Sequence, residues 1–156
     1  MIFKTIISIL TLFSVTHVAG QTRHLTGKII GFDFEPFMQT MIFNLDTVEL
    51  GKSDMTGSFN ISVSADTKTL LIATVGMEWK RLNLTDSCNY LEIILLPSWT
   101  YDFKKLKQVD RLRKKEFNKL PKLHKTAFEK GIFKSDKPCY VDNFIPSISK
   151  QKNTDE

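Results

Sequence analysis

The seven residues Ser53-Asp54-Met55-Thr56-Gly57-Ser58-Phe59 place a tight turn directly before a strictly alternating segment, and this restricts the chain more than any other stretch. Asp54 is suited to accept backbone N–H groups from the residues after it, and Gly57 can take a left-handed conformation that other residues resist. Beyond the turn Phe59, Ile61 and Val63 are apolar while Ser58, Asn60, Ser62 and Ser64 are polar. That alternation predicts a strand with one dry face and one wet face. Similar segments are expected at His24–Ile30, Thr40–Asp46, Val48–Ser53, Ser58–Val63, Thr69–Val75, Lys80–Leu84 and Leu91–Leu96, separated by turn residues. Seven short strands without an intervening helical pattern predict a β-sandwich. Thr69–Val75, and Leu91–Leu96 apart from Glu92, are apolar on both faces, which predicts central positions for these two strands.

Past Pro97 the period changes. Leu106, Val109, Leu112, Phe117 and Leu120 fall within an arc of about 140° at helical spacing, with Lys107, Arg111, Lys114 and Lys115 on the opposite side. An amphipathic helix is expected there, followed by a second that starts near Pro121 and closes at Gly131, with Leu123, Ala127 and Phe128 as its buried stripe. Ile132–Ile145 is expected to lie extended against the sandwich. The organisation expected is thus a β-sandwich over 21–98, a basic helical extension over 99–146 and a disordered tail over 147–156.

Residues 1–20 combine Lys4, an apolar run from Ile6 to Val15 and the small-residue end Val18-Ala19-Gly20. This pattern predicts a signal peptide cleaved before Gln21, and the run is shorter than the ~20 apolar residues of a spanning helix. An exported protein, periplasmic, outer-membrane-associated or secreted, is expected, with no transmembrane segment after cleavage. Export makes a Cys88–Cys139 disulfide feasible; two independent small hydrophobes is the other reading. Neither cysteine has a CxxC partner, so zinc and thiol redox chemistry are not expected. The net charge of +5 is unevenly spread: residues 21–100 carry −3 and residues 101–156 carry +7.

Four segments in order, Leu25-Thr26-Gly27-Lys28-Ile29-Ile30, Glu35-Pro36-Phe37, Gly51 to Phe59 and Ala73-Thr74-Val75-Gly76, resemble the carboxypeptidase regulatory-like domain. The resemblance covers about residues 24–96 and implies a transthyretin-like, immunoglobulin-like sandwich of seven strands, with Asp54, Gly57, Phe59 and Gly76 as structural turn residues. Gln39-Thr40 and Met77 depart from that family's usual pattern. Such domains accompany peptidases and bacterial outer-membrane receptors without being catalytic, which implies an accessory role at the bacterial envelope.

No catalytic, cofactor-binding or metal-binding residue is expected. His17, His24 and His124 fall in the signal, the first strand and the second helix, and no HxxE or HExxH spacing occurs. Asp54 could ligate calcium, but a turn carboxylate more often satisfies backbone donors. Lys107, Arg111, Lys114 and Lys115 form a candidate docking face for an envelope protein, or in the alternative reading for anionic lipid or carbohydrate; nucleic acid is not expected after export. Trp79, Trp99, Tyr101 and Phe103 are expected to pack in the seam between sandwich and extension, a sugar platform being the other reading. His124 is expected at the surface. A non-enzymatic interaction module is the resulting expectation.

Overall fold

The alternating residues 58–64 do form a strand, and its neighbours define the architecture in the computed structural model, which describes residues 21–147. The expected signal segment and residues 148–156 of the expected tail lie outside the described residues. The elements run β1 (Thr22–Gly31), β2 (Met41–Phe43), β3 (Glu49–Lys52), β4 (Ser58–Ser64), β5 (Thr69–Ala73), β6 (Lys80–Asn83), β7 (Tyr90–Leu95), α1 (Leu106–Phe117), α2 (Leu120–Glu129) and β8 (Val141–Asp142). The strands make two sheets, β4-β1-β7 and β3-β2-β5-β6-β8. β1 is antiparallel to β4 and parallel to β7, and every pairing in the second sheet is antiparallel. The chain is therefore mainly β, with a helical C-terminal extension.

Period-two alternation sorts the strand residues into two cores. Leu25 and Ile29 of β1, Phe59, Ile61 and Val63 of β4, and Leu91, Ile93 and Leu95 of β7 meet Ile42, Leu70, Ile72 and Leu82 of the second sheet. On the other side of the first sheet, Ile30 and Ile94 meet Ala127 of α2 and Phe133. The result is three layers: sheet, sheet and α2.

The turn that opened the sequence reading is held by its own side chains. Asp54 Oδ1 accepts the Thr56 and Ser58 amides at 2.8 and 2.9 Å and the Thr56 hydroxyl at 2.7 Å. These bonds, the Thr56 hydroxyl first, hold the Asp54 carboxyl below the usual range. Gly57 has φ +75°, and a Cβ there would stand 2.3 Å from the Ile29 carbonyl oxygen. Gly27 answers a second close approach, because a Cβ there would meet the Phe59 ring at 2.6 Å. Ser53, buried, donates its hydroxyl to the Phe37 carbonyl at 2.6 Å and accepts the Thr40 amide at 3.0 Å, fixing the entry to β2. The Gln39 amide donates to the Ser53 carbonyl at 3.0 Å beside them.

Several expectations need correction. Among the described residues there are eight strands, because Asp142 and Val141 pair with Leu82 and Asn83 as a two-residue β8 too short to leave a periodic signal. β5 is central, but β7 is an edge of its sheet; its second dry face comes from α2 and the segment after it. β2 stops at Phe43, because Asn44 to Val48 close a turn with Thr47 at φ +61°. β5 stops at Ala73, leaving Val75 exposed.

Replacing Gly57 by alanine is expected to lower unfolding free energy by at least ~1 kcal/mol, since the left-handed φ and the Ile29 carbonyl both oppose a Cβ. Urea denaturation of the two proteins checks it, with an unchanged midpoint as the contrary result.

Candidate functional site

The C-terminal extension is fastened at two places, one polar and one mixed. α1 is held by Arg113. Its guanidinium donates from Nε to Glu78 Oε1 at 2.7 Å and from Nη2 to Glu78 Oε2 at 3.1 Å, a bidentate pair. Nη1 reaches Asp110 Oδ1 at 3.2 Å, the Ile145 carbonyl at 3.3 Å and the Ser147 hydroxyl at 2.8 Å. Asp110 Oδ1 also accepts the Ser147 amide at 2.8 Å. The Glu78 contact, ahead of the other causes, raises the Arg113 pKa. The guanidinium lies 5.4 Å from the Phe144 ring centre, and Phe117 meets the same ring edge-on at 5.7 Å.

The second fastening crosses β7. Residues 132–142 form a strap whose Lys134 and Ser135 amides donate to the buried Glu92 carboxylate, the latter at 3.2 Å. Tyr140 donates its hydroxyl to the Glu92 carbonyl at 3.2 Å, and Cys139 is disulfide-bonded to Cys88 with the Cα atoms 5.4 Å apart. The bond closes a sequence separation of 51 residues. In the chain-entropy account that loop is worth up to ~4 kcal/mol. Gly131, at φ +70°, ends α2 and turns the chain into the strap; the Ile132 amide caps α2 on the Ala127 carbonyl at 2.9 Å.

Between α2 and the strap lies a cleft of about 420 Å³ with mainly apolar walls, including Ile94, Leu120, Pro138 and Tyr140. Lys80 at its base pairs with Asp142 at 2.5 Å, and burial pushes the ammonium down despite that partner. His124 borders the cleft, 3% exposed, with its ring centre 4.8 Å from that of Phe133 and the two planes tilted by 50°. Neither ring nitrogen has a partner in hydrogen-bond geometry. Burial lowers its pKa, while the Glu92 charge and the nearby Asp136 and Glu92 carbonyls temper that effect without satisfying the ring.

The candidate docking residues Lys107, Arg111, Lys114 and Lys115 are all exposed on α1. The stripe expected opposite them is only partly covered, with Leu106 41% and Leu112 37% exposed. Asp110 is the buried residue of α1, because the helix meets the body through Arg113 and not through leucine. Trp79, Trp99 and Phe103 do not form a packed seam and stand 64%, 56% and 106% exposed. Trp79, Trp99 and Tyr101 instead border a polar cleft of about 400 Å³ together with Glu78 and Arg113. His124 is buried and not a surface residue, and Phe128, expected in the stripe of α2, is largely exposed while Ala127 is buried. Asp54, Gly57 and Phe59 belong to a turn and core at a distance in sequence from these features, Gly76 turns the chain at φ +78° two residues before Glu78, and Ser147 is held by Asp110 and Arg113. In the sequence Glu78 carries no signal, Glu92 shows only as a charge in an apolar run, and Arg113 reads as one more cation of the basic cluster that could meet an anionic surface, whereas the structure turns it inward to Glu78. Among the described residues, no group of three His, Cys, Asp or Glu side chains could hold a metal ion, and no helix is long and apolar enough to cross a membrane.

No protein family and no curated protein matches the chain. Among solved structures it is similar in part to a chain of the cryo-EM structure of an E. coli P pilus tip assembly intermediate, PapC-PapD-PapK-PapG in its second conformation. Identity is 16%, the TM-score is 0.37, and the overlap takes in 51% of this chain and 10% of that one. The chain thus spans about a tenth of that chain's length, a likeness too slight to assign a fold or a role.

Arg113→Ala should release α1, costing about 2 kcal/mol locally through the lost charged hydrogen bonds; faster amide exchange in 106–117 with β1 unchanged is the expected readout. For His124 the folded pKa lies below its ordinary 6.5, so stability is complete above that value and falls as pH drops below it. Thermal unfolding between pH 7 and pH 5 should show this loss, and His124→Phe should flatten it.

Proposed function

We propose that this chain is a non-catalytic, exported accessory module of the cell envelope that works by contact, with the outward side of α1 as the contact face. The observation that carries the reading is the mode of attachment of α1. One arginine knot holds the helix down, and the cations on its outward side have no ion pair among the described residues. A helix stabilised for its own sake would bury its leucines, and this one leaves Leu106 and Leu112 half in water.

The polar groups of the body are occupied with structure. The Glu92 carboxylate serves backbone amides, Lys80 serves Asp142, and His124 is sealed against Phe133. In these roles the three groups hold the fold together, and the contact face is left to the exposed side of α1. The disulfide fits an oxidising compartment, as the signal-like residues 1–20 do. The resemblance of residues 24–96 to the carboxypeptidase regulatory-like domain points the same way, since such domains accompany other envelope proteins.

A photo-crosslinking residue at position 111, compared with one at position 60 on the outer face of β4, tests the reading in the producing cell. Adducts formed selectively from position 111 are the expected outcome. Equal labelling from both positions, or none from position 111, contradicts it.

A further inference from the structure

We propose that the Phe103 tip and the adjoining outward face of α1 dock on an anionic phospholipid bilayer; the inference rests on the reading of α1 as the contact face and names what it contacts. Phe103 is 106% exposed and sits at φ +61°, a left-handed conformation that aromatic residues rarely adopt. The turn behind it is closed by the Lys104 amide on the Tyr101 carbonyl at 3.4 Å, so the ring projects from an ordered bend. Trp99 and Leu106, four residues before and three after it in the chain, are 56% and 41% exposed. An apolar prominence of this kind gains by entering an acyl boundary, and the gain is unavailable in water.

The charge around the prominence fits the same surface. Lys104 and Lys105 follow Phe103 directly, and all the cations of the tip and outward face are exposed. At about 100° per residue, Lys107, Arg111, Lys114 and Lys115 lie 80–180° around α1 from Leu106. Asp110, Arg113 and Phe117 lie at about 40°, 340° and 20°, on the Leu106 side of the helix, where it meets the body. The cations are therefore turned outward by the same contacts that seat the helix.

Their identity separates a membrane from a protein partner. Five of these six cations are lysines, Lys104, Lys105, Lys107, Lys114 and Lys115, with Arg111 the sixth. Lysine is depleted from protein–protein interfaces, where side chains must be fixed against one partner group, and arginine is favoured. On a fluid anionic surface lysines need no fixed partner and keep their rotamer freedom, while the surface potential attracts each of them.

Flotation of the purified protein with vesicles tests this. The protein should float with phosphatidylcholine–phosphatidylglycerol vesicles and stay behind with phosphatidylcholine alone, and the binding should fade as salt rises through the screening range. The double variant Lys114→Gln/Lys115→Gln should bind about fivefold more weakly per charge removed, equivalent to ~1 kcal/mol each. Phe103→Ser, at a site that packs on nothing, should weaken binding about tenfold with an unchanged circular dichroism spectrum. Failure to float with anionic vesicles at low salt, equal flotation with neutral ones, or full binding by both variants overturns the proposal. A protein adduct from position 111 without vesicle binding overturns the lipid assignment and leaves the contact face standing; absence of both removes the two together.

Discussion

A carboxylate buried on the outer face of β7 governs how the C-terminal third of the chain is placed. Glu92 is 3% exposed on the side of the strand that a two-layer sandwich would leave to water. A carboxylate taken out of solvent needs donors, and the Lys134 and Ser135 amides supply them. The strap must then cross β7 at one register, which Tyr140 and the Cys88–Cys139 bond hold a few residues further on. Because α2 runs directly into that strap, its Ala127 and the following Phe133 come to rest on Ile30 and Ile94. One polar group thus helps convert the outer face of the first sheet into the floor of a third layer.

What could be read in the sequence was what is local. The Asp54–Gly57 turn and the alternation from Ser58 to Ser64 depend on residues within reach of each other, and the structure forms them from the same groups. The two helices announced themselves through period, proline and Gly131 for the same reason. Glu92 looked like a blemish in an apolar run because its donors lie 42 and 43 residues away. The central position expected for β7 failed on the same ground, since an apolar strand covered by a helix reads like one covered by neighbouring strands. The buried side of α1 was misplaced because Arg113 finds Glu78 across 35 residues, and a hydrophobic arc says nothing about such a partner.

His124 shows the converse. A histidine at helical spacing beside Leu120, Leu123 and Ala127 gives no sign of which way it faces, and the ring lies sealed against Phe133. Two nitrogens without partners inside a dry layer are a standing cost, larger for the protonated ring than for the neutral one. The Glu92 charge is near enough to offset part of the penalty for protonation. The contact between α2 and β7 therefore carries a titratable weak point next to the carboxylate that organises it.

The charges of the two halves bear on what the extension is for. The body residues 21–100 carry −3 and the extension +7, so a basic tail folded to neutralise an acidic body would turn its cations inward. Among the described residues, Arg113–Glu78 and Lys80–Asp142 are the ion pairs that link extension to body, and both lie at seams. The cations of α1 stay in solvent because Asp110, Arg113 and Phe117 already fill its inward sector. Lys107, Arg111, Lys114 and Lys115 follow one another at rises of ~1.5 to ~6 Å along α1, within one screening length at physiological salt, so neighbouring charges act together and not as isolated sites. Mutual repulsion along that row of cations weakens α1, and an anionic surface would relieve it. The arginine knot is therefore best understood as the anchor that lets the helix keep an unneutralised face.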